Sequence, residues 1–164
     1  MNLFKKLFGN KETELKVTSP LTGKKVALEE VPDPVFSQKM MGEGIAVEPD
    51  DGQVLSPVEG TIVQLFPTKH AVGLETKSGA EILIHIGLET VAMDGEGFEA
   101  FVTQGDKVKV GDKLISFDLD LVKEKAKSTV TPIIVTNSDD FDVQVAQDVD
   151  LDAGSTPLMT VKKK

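Results

Sequence analysis

The hydrophobic residues of the chain fall into short runs, rich in β-branched and aliphatic side chains, from Leu15 to Val161. Turn signals built from proline, glycine, serine and aspartate separate these runs at residues 19–23, 48–52, 56–60 and 77–79. Short strands with this turn spacing are typical of β-sandwiches and β-barrels. The pattern therefore predicts an all-β sandwich or barrel.

Two segments have a helical character instead. Residues 33–40 begin with Asp33, a suitable N-cap, and Pro34, which suits the first helical position. Residues 119–127 follow Asp118, which is available as a second cap. The sequence thus predicts two short helical segments within the β-rich domain.

The first residues differ from the rest of the chain. Four apolar side chains share one helical face: Leu3, Phe4, Leu7 and Phe8. The same segment contains three lysines, Lys5, Lys6 and Lys11. This pattern is typical of an amphipathic helix that touches anionic lipid. For the free protein a frayed terminus is the better explanation, because isolated helices of this length are marginal in water, and contact with a membrane would then order the helix. We therefore assign residues 1–16 to a flexible or amphipathic segment with a candidate membrane contact.

One short sequence occurs twice in similar form. Residues 19–23 read Ser-Pro-Leu-Thr-Gly, and residues 56–60 read Ser-Pro-Val-Glu-Gly. Either an old duplication or the reuse of favourable turn chemistry explains this similarity, and the chain shows no clean tandem repeat.

The composition limits the kinds of partner. The chain has 164 residues, 40% of them hydrophobic, and a formal net charge of -9. This length suits one compact domain. The negative charge argues against nucleic acid, because binding to it depends on Lys and Arg that neutralise phosphates. It favours protein partners with positive patches.

Residue usage also bears on the cellular location. The absence of cysteine excludes disulfides, zinc–thiolate sites and thiol nucleophiles, and it fits a reducing compartment. No run approaches the roughly 20 apolar residues of a membrane span. Residues 1–16 also lack the apolar region and cleavage site of a signal peptide. We therefore expect a cytoplasmic protein.

The two histidines of the chain are the main candidates for chemistry. His70 and His85 each lie in a predicted strand, and the segments 70–76 and 80–86 flank Lys77-Ser78-Gly79. This arrangement is typical of a β-hairpin. An unperturbed histidine has a pKa of about 6.5, so its ring is a neutral nucleophile near pH 7.

Two registers of this hairpin remain open. A two-residue loop places His70 directly opposite His85, with both rings on one face. A three-residue loop that includes Gly79 pairs His70 with Ile86 and turns the rings to opposite faces. The first register gives the better active site and the second gives the more regular apolar stripe.

Three functions are compatible with two neutral imidazoles. In a phosphoryl relay, one ring attacks phosphorus while the other steadies the developing charge. In a zinc site, His70 and His85 would need further ligands, because zinc takes three or four protein ligands. Asp94, Glu96 or a partner residue would supply them. The third function is a general acid–base pair. In each case Thr68, two residues before His70, is placed to hydrogen-bond that ring, although its preference for β-strands explains its presence equally well.

Seven segments add a recognisable combination of motifs, at residues 32–36, 41–45, 66–71, 84–91, 95–98, 126–128 and 131–134. The combination resembles the glucose-type IIA component of the bacterial sugar phosphotransferase system. The match extends from about Thr18 to Val161, and it is specific as a set although each motif alone is weak. The resemblance implies a compact antiparallel β-sandwich and one IIA phosphocarrier domain over residues 17–164.

The resemblance implies separate roles for the site residues. His85 would accept a phosphoryl group from the phosphorylated histidine carrier protein and pass it to a cysteine of a IIB domain during sugar uptake. His70 would assist, and Thr68 would hydrogen-bond His70. Both rings would face one shallow depression, which favours the two-residue loop. No cofactor would be required, and zinc would bind His70 and His85 only with a partner's ligand. The protein would work at the inner face of the membrane.

An apolar ring around the histidines would exclude water and dock more than one partner. The candidates for this ring, each also explained as ordinary core, are Val35, Phe36, Phe66, Leu83 and Ile86. Asp33 and Glu89 would meet basic residues of the carrier, although a helix cap and a solvated loop charge explain them too. Because some members of the family bind other proteins when unphosphorylated, regulatory targets are further candidate partners.

Two other classes remain as alternatives. Gly105-Asp106 and Gly111-Asp112 resemble turns of biotinyl- or lipoyl-type carrier barrels, which hold a cofactor on a hairpin-tip lysine. Lys77 lies at such a tip, but its neighbours do not fit that motif, and we interpret the Gly-Asp segments as structural turns. A zinc hydrolase on a related scaffold would need more ligands than two histidines.

Overall fold

The computed structural model describes residues 14–164. The predicted amphipathic face, with Leu3 to Lys11, therefore lies outside the described residues. The boundary at residue 16 needs correction, because strand β1 already begins at Glu14 and pairs with the C-terminal strand. Residues 14–16 belong to the folded domain.

The described residues form fourteen strands, two short α-helices and three single turns of 3-10 helix. The strands are β1 (Glu14–Thr18), β2 (Gly23–Val26), β3 (Glu43–Pro49), β4 (Gln53–Leu55), β5 (Gly60–Leu65), β6 (Ala71–Glu75), β7 (Glu81–His85), β8 (Phe98–Ala100), β9 (Lys107–Val108), β10 (Lys113–Phe117), β11 (Thr131–Val135), β12 (Phe141–Val145), β13 (Asp150–Leu151) and β14 (Pro157–Lys163). The helices are α1 (Pro34–Ser37) and α2 (Leu119–Lys125). The 3-10 turns are Leu28–Glu30, Thr90–Met93 and Ser138–Asp140.

The strands of the described chain form three antiparallel sheets. The largest has the order β13-β2-β3-β11-β7-β6-β5-β9, and the two smaller ones are β1-β14-β12 and β4-β10-β8. The hairpin of β6 and β7 lies inside the large sheet, with β11 pairing along β7 and β5 along β6. The predicted all-β, antiparallel sandwich with two short helices is confirmed.

Alternate side chains of the large sheet enter two separate apolar clusters. Along β7, Ile82 and Ile84 lie in the main core, whereas Leu83 lies in a smaller group. This alternation follows from the period of two along a strand. We call the smaller group the outer cluster; its buried members are Leu28, Val31, Phe36, Ala46, Ala71, Leu83, Leu88, Val130 and Ile134. The segment that leads into α1 therefore covers the outer face of the sheet.

Both predicted helices form, but each is shorter than expected. Asp33 caps α1 by accepting a hydrogen bond from the Val35 N–H at 3.0 Å, and Asp118 caps α2 through the Leu121 N–H at 3.1 Å. Helix α1 ends before Lys39, whose φ of +60° lies in the left-handed region that stops a helix. The predicted boundaries at residues 40 and 127 are therefore too late.

The repeated Ser-Pro sequences also repeat in structure. Ser19 Oγ donates to the Leu21 carbonyl at 2.6 Å, and Ser56 Oγ donates to the Val58 carbonyl at 2.7 Å. The two turns are also linked reciprocally, since the Thr18 N–H bonds the carbonyl of residue 57 and the Leu55 N–H bonds the carbonyl of residue 20. The sequence similarity thus marks equivalent positions in the fold.

The two Gly-Asp segments are structural turns, as interpreted from the sequence. The Asp106 carboxylate accepts the Thr103 N–H at 2.9 Å, and the Asp112 carboxylate accepts the Lys109 N–H at 2.8 Å. The two aspartates therefore close loops of the same size. The loop of Asp106 lies just before β9, and the loop of Asp112 lies between β9 and β10.

We expect Ile84→Ala to lower the free energy of unfolding by about 2–5 kcal/mol, because it leaves a cavity in the middle of β7, where Ile84 is fully buried. Val63→Ala on β5 is the control; Val63 is 40% exposed and its truncation should cost less than about 1 kcal/mol. Urea unfolding measures both values, and equal losses would contradict the assigned core.

Candidate active site around two histidines

The hairpin that bears the histidines has the three-residue-loop register. Ala71 pairs with His85, and Glu75 pairs with Glu81. Gly79, with φ of +90°, completes the loop, and its N–H bonds the Thr76 carbonyl at 3.0 Å. Our preference for the two-residue loop is therefore wrong, because Gly79 adopts the left-handed conformation that a bulged three-residue loop requires.

The two rings nevertheless meet on one face. The His70 and His85 ring centroids are 5.1 Å apart, with planes inclined at 80°. His70 immediately precedes β6, and Lys69 before it has φ of +61°, so the pleat is broken at this point. Strict alternation of faces applies within a regular strand and does not extend across such a break. The expectation that this register separates the rings is therefore wrong.

A tight turn before β6 positions His70. The Lys69 N–H bonds the Phe66 carbonyl at 2.8 Å, and the Phe66 N–H bonds the Ala71 carbonyl at 3.2 Å. Inside this turn, Thr68 Oγ1 lies 2.5 Å from His70 Nδ1. This hydrogen bond places Thr68 beside His70, as the spacing of the two residues predicted.

His85 is oriented by the chain that follows it. Its Nδ1 lies 2.8 Å from the Gly87 carbonyl oxygen. Because a carbonyl only accepts hydrogen bonds, the Nδ1 atom of His85 carries the proton, and in the neutral ring the lone pair is on Nε2. His85 is half-buried, whereas His70 is only 3% exposed. The more accessible ring therefore presents a nucleophilic nitrogen.

Aromatic rings enclose the pair. The Phe36 ring centroid lies 5.1 Å from that of His85, and the Phe66 centroid lies 5.3 Å from that of His70. Phe36 is held by α1 and belongs to the outer cluster, against which Phe66 packs. The outer cluster thus supplies an apolar wall to the site.

This environment keeps both rings uncharged. Burial, and secondarily the neighbouring His85, lower the pKa of His70 to about 4. Burial also lowers the pKa of His85, against the opposing effects of the Gly87 carbonyl and the Asp33 carboxylate. Desolvation disfavours the imidazolium form, so both rings are neutral at pH 7.

The residues predicted to surround the site divide into accessible and inaccessible ones. Val35 is 39% exposed, whereas Phe36 and Leu83 are only 4% and 7% exposed. Glu89 is exposed, whereas Asp33 and Phe66 are half-buried. Ile86 has no exposed surface and belongs to the main core on the other face of the sheet. The prediction of Ile86 as a docking residue is therefore wrong, because alternation along β7 turns its side chain inward.

Sequence reasoning missed the residue that orients His85. Gly87 has φ of +68° and lies two residues after the histidine, where its carbonyl reaches back to the ring. The available signal was a glycine shortly after the strand that ends at His85, because glycine adopts a positive φ without strain.

In residues 14–164, no group of three or more His, Cys, Asp or Glu side chains is arranged to hold a metal ion. No helix within that range is long and apolar enough to cross a bilayer. The interfacial zinc that would use a partner's ligand stays a prediction.

Known proteins resemble the chain along nearly its whole length. The profile of the phosphoenolpyruvate-dependent sugar phosphotransferase system EIIA 1 family matches residues 15–141. The glucose-specific EIIA component of Bacillus anthracis is 57% identical over 165 residues, which cover 99% of this chain and 100% of that protein. The one from Staphylococcus epidermidis is 53% identical over 150 residues, which cover 90% of each chain.

A solved structure supports the same relationship. Glucose permease IIA from Mycoplasma capricolum superposes with a TM-score of 0.85 at 44% identity, covering 90% of this chain and 95% of that one. The protein therefore belongs to the EIIA 1 family of the phosphoenolpyruvate-dependent sugar phosphotransferase system. It is a glucose-type IIA component, with a phosphoryl-carrier role in sugar uptake.

The pH dependence of folding should report the buried His70. Its pKa is about 4 in the folded protein against an ordinary value of 6.5, so the unfolded chain binds a proton first as pH falls. The stability that this difference contributes is present above about pH 6.5 and is lost as pH falls towards about 4.

In an NMR titration, we expect the His70 ring to remain neutral until about pH 4. His70→Gln is the matched variant, and its unfolding free energy should decline less steeply than that of the native protein over the same pH range. A His70 ring that titrates at its ordinary pKa would contradict the burial described above.

Proposed function

We propose that His85 is the phosphoryl acceptor, that it receives the group from the phosphorylated histidine carrier protein, and that it passes the group to a cysteine of a IIB domain. The observation that supports this most directly is the hydrogen bond from His85 Nδ1–H to the Gly87 carbonyl, which leaves Nε2 as the free nucleophile in the more accessible ring. His70 lies behind it and is buried.

The transfer of the phosphoryl group between the two histidines needs no further reactant. The Nε2 lone pair of His85 attacks phosphorus, a new N–P bond forms, and the electron pair of the broken N–P bond returns to the carrier's histidine. The His85 ring then bears positive charge, which the Gly87 carbonyl stabilises through Nδ1–H. In the next step, a thiolate of the IIB domain attacks phosphorus, an S–P bond forms, the bond between phosphorus and His85 Nε2 breaks, and its electron pair returns to Nε2.

His70 is suited to stabilise the phosphoryl oxygens. If Thr68 donates its hydroxyl proton to His70 Nδ1, the ring proton of neutral His70 is on Nε2. Such a donor, fixed in place before the reaction, stabilises developing charge without reorganisation. The short distance between the rings brings this donor near the new phosphoryl group.

The surroundings fit a relay that docks two partners in turn. Phe36 and Phe66 limit the access of water to the phosphohistidine, and Val35 offers exposed apolar surface beside them. Asp33 and Glu89, with the net charge of -9, favour carriers that present basic residues. These partners act in the cytoplasm, with the IIB domain at the inner face of the membrane.

The test is phosphorylation with enzyme I, the histidine carrier protein and labelled phosphoenolpyruvate. We expect one acid-labile, base-stable label on the native protein, no label on His85→Ala, and label that is not passed on in His70→Ala. Lys77→Ala is the control for a carrier-lysine function and should label normally. Full labelling of His85→Ala would exclude the assignment.

Thr68→Val should leave His85 able to accept phosphate but slow onward transfer about tenfold, because the loss of one hydrogen bond releases the His70 ring. Thr136→Val is the control, since Thr136 is exposed and its hydroxyl contacts only Glu81. Single-turnover transfer to the IIB domain measures the rates. Equal rates for the native protein and Thr68→Val would contradict the role of Thr68.

A further inference from the structure

The orientation of His85 depends on one carbonyl, so the position of Gly87 decides which ring nitrogen is free. Two buried threonines bond the peptide unit immediately before this carbonyl. Thr90 Oγ1 donates to the Ile86 carbonyl at 2.5 Å, and the Gly87 N–H donates to Thr131 Oγ1 at 3.3 Å. Both polar ends of the peptide between Ile86 and Gly87 are therefore held by side-chain hydroxyls.

The two threonines come from different elements and are both fully buried. Thr90 begins the 3-10 turn Thr90–Met93, and Thr131 begins β11. The Thr131 hydroxyl donates its own proton to the Thr129 carbonyl at 3.0 Å. It therefore presents a lone pair to the Gly87 N–H, and its role in this contact is fixed as acceptor.

The next peptide unit is bonded at both ends as well. The Gly87 carbonyl accepts His85 Nδ1–H, and the Leu88 N–H donates to the Ser128 carbonyl at 2.9 Å. Space around Gly87 is also closed, since an added Cβ would approach Thr90 Cγ2 to 2.7 Å and the Ser128 carbonyl oxygen to 2.8 Å. Gly87 thus has little freedom to move while these bonds persist.

We infer that Thr90 and Thr131 are positioning residues, which hold the Gly87 carbonyl against His85 Nδ1 and thereby keep the ring proton on Nδ1 and the lone pair on Nε2. We call this pair the threonine clamp. The inference deepens the proposed function and rests on it for its catalytic meaning. The proton position itself is a property of the unphosphorylated protein.

Removal of the clamp has a defined physical consequence. Valine has nearly the shape of threonine but no hydroxyl, so Thr131→Val leaves the buried Gly87 N–H without a partner. That N–H gains a new partner only if the peptide between Ile86 and Gly87 rotates. We expect this rotation to move the Gly87 carbonyl away from His85 Nδ1. Without this acceptor, the proton is free to occupy either ring nitrogen.

The test uses the 15N-labelled full chain and long-range proton–nitrogen NMR spectra of the His85 ring near neutral pH. We expect Nδ1–H alone in the native protein and a mixture of Nδ1–H and Nε2–H in Thr131→Val, Thr90→Val and the double variant. Thr131→Ser and Thr90→Ser keep the hydroxyl and should restore the native spectrum. If the double variant fails to fold, the His85 ring spectra of the two single variants decide the test by the same criterion.

Thr76→Val is the matched control. Thr76 is also buried, and its hydroxyl bonds the Ala80 carbonyl at 3.0 Å at the opposite end of the hairpin. This variant loses a buried hydroxyl yet should keep the native His85 spectrum. A folded Thr90→Val/Thr131→Val protein with its proton still confined to Nδ1 would overturn the inference, and so would the same spectral change in Thr76→Val.

The rate of phosphorylation separates this inference from the proposed function. If both hold, the double variant should accept phosphate from the carrier about tenfold more slowly, on the scale of one lost hydrogen bond, while its affinity for the carrier is unchanged. A shifted proton with an unchanged rate would support the clamp and count against Nε2 of His85 as the acceptor.

Discussion

The period of two along the central strands of the large sheet is the constraint on which the site depends. It directs Ile82 and Ile84 of β7 into the main core and leaves Leu83 and His85 for the other face. The outer cluster forms on that face and is covered by the segment leading into α1. His85, the proposed phosphoryl acceptor, therefore lies at the end of β7, at the border between an apolar cluster and solvent.

The same placement explains the electrostatics. A relay through histidine needs neutral rings, and burial beside Phe36 and Phe66 lowers the pKa of both imidazoles. The two rings differ in what they bond. His85 contacts a carbonyl, which only accepts, whereas His70 contacts the Thr68 hydroxyl, which both donates and accepts. This difference is the basis for proposing one ring as nucleophile and the other as hydrogen-bond donor.

Much of the fold and part of the site followed from local sequence patterns. The alternating apolar runs and the turn residues predicted the β-sandwich, and Asp33 and Asp118 predicted the starts of both helices, since caps act within one helical turn. The spacing of Thr68 and His70 predicted their hydrogen bond. The end of α1 was predicted too late, because the left-handed conformation of Lys39 has no residue-type signal comparable to glycine.

By itself, the sequence determined the chemistry that is available: two histidines, no cysteine, an acidic surface and a hairpin that brings the histidines near each other. The tertiary structure decided the register of that hairpin, the meeting of the two rings on one face and the contact between His85 and Gly87. These features depend on Lys69, Gly79 and Gly87, whose positive φ values redirect the chain over one residue. Sequence periodicity averages over several residues, so a break at a single residue becomes visible only when the packed neighbours are in place.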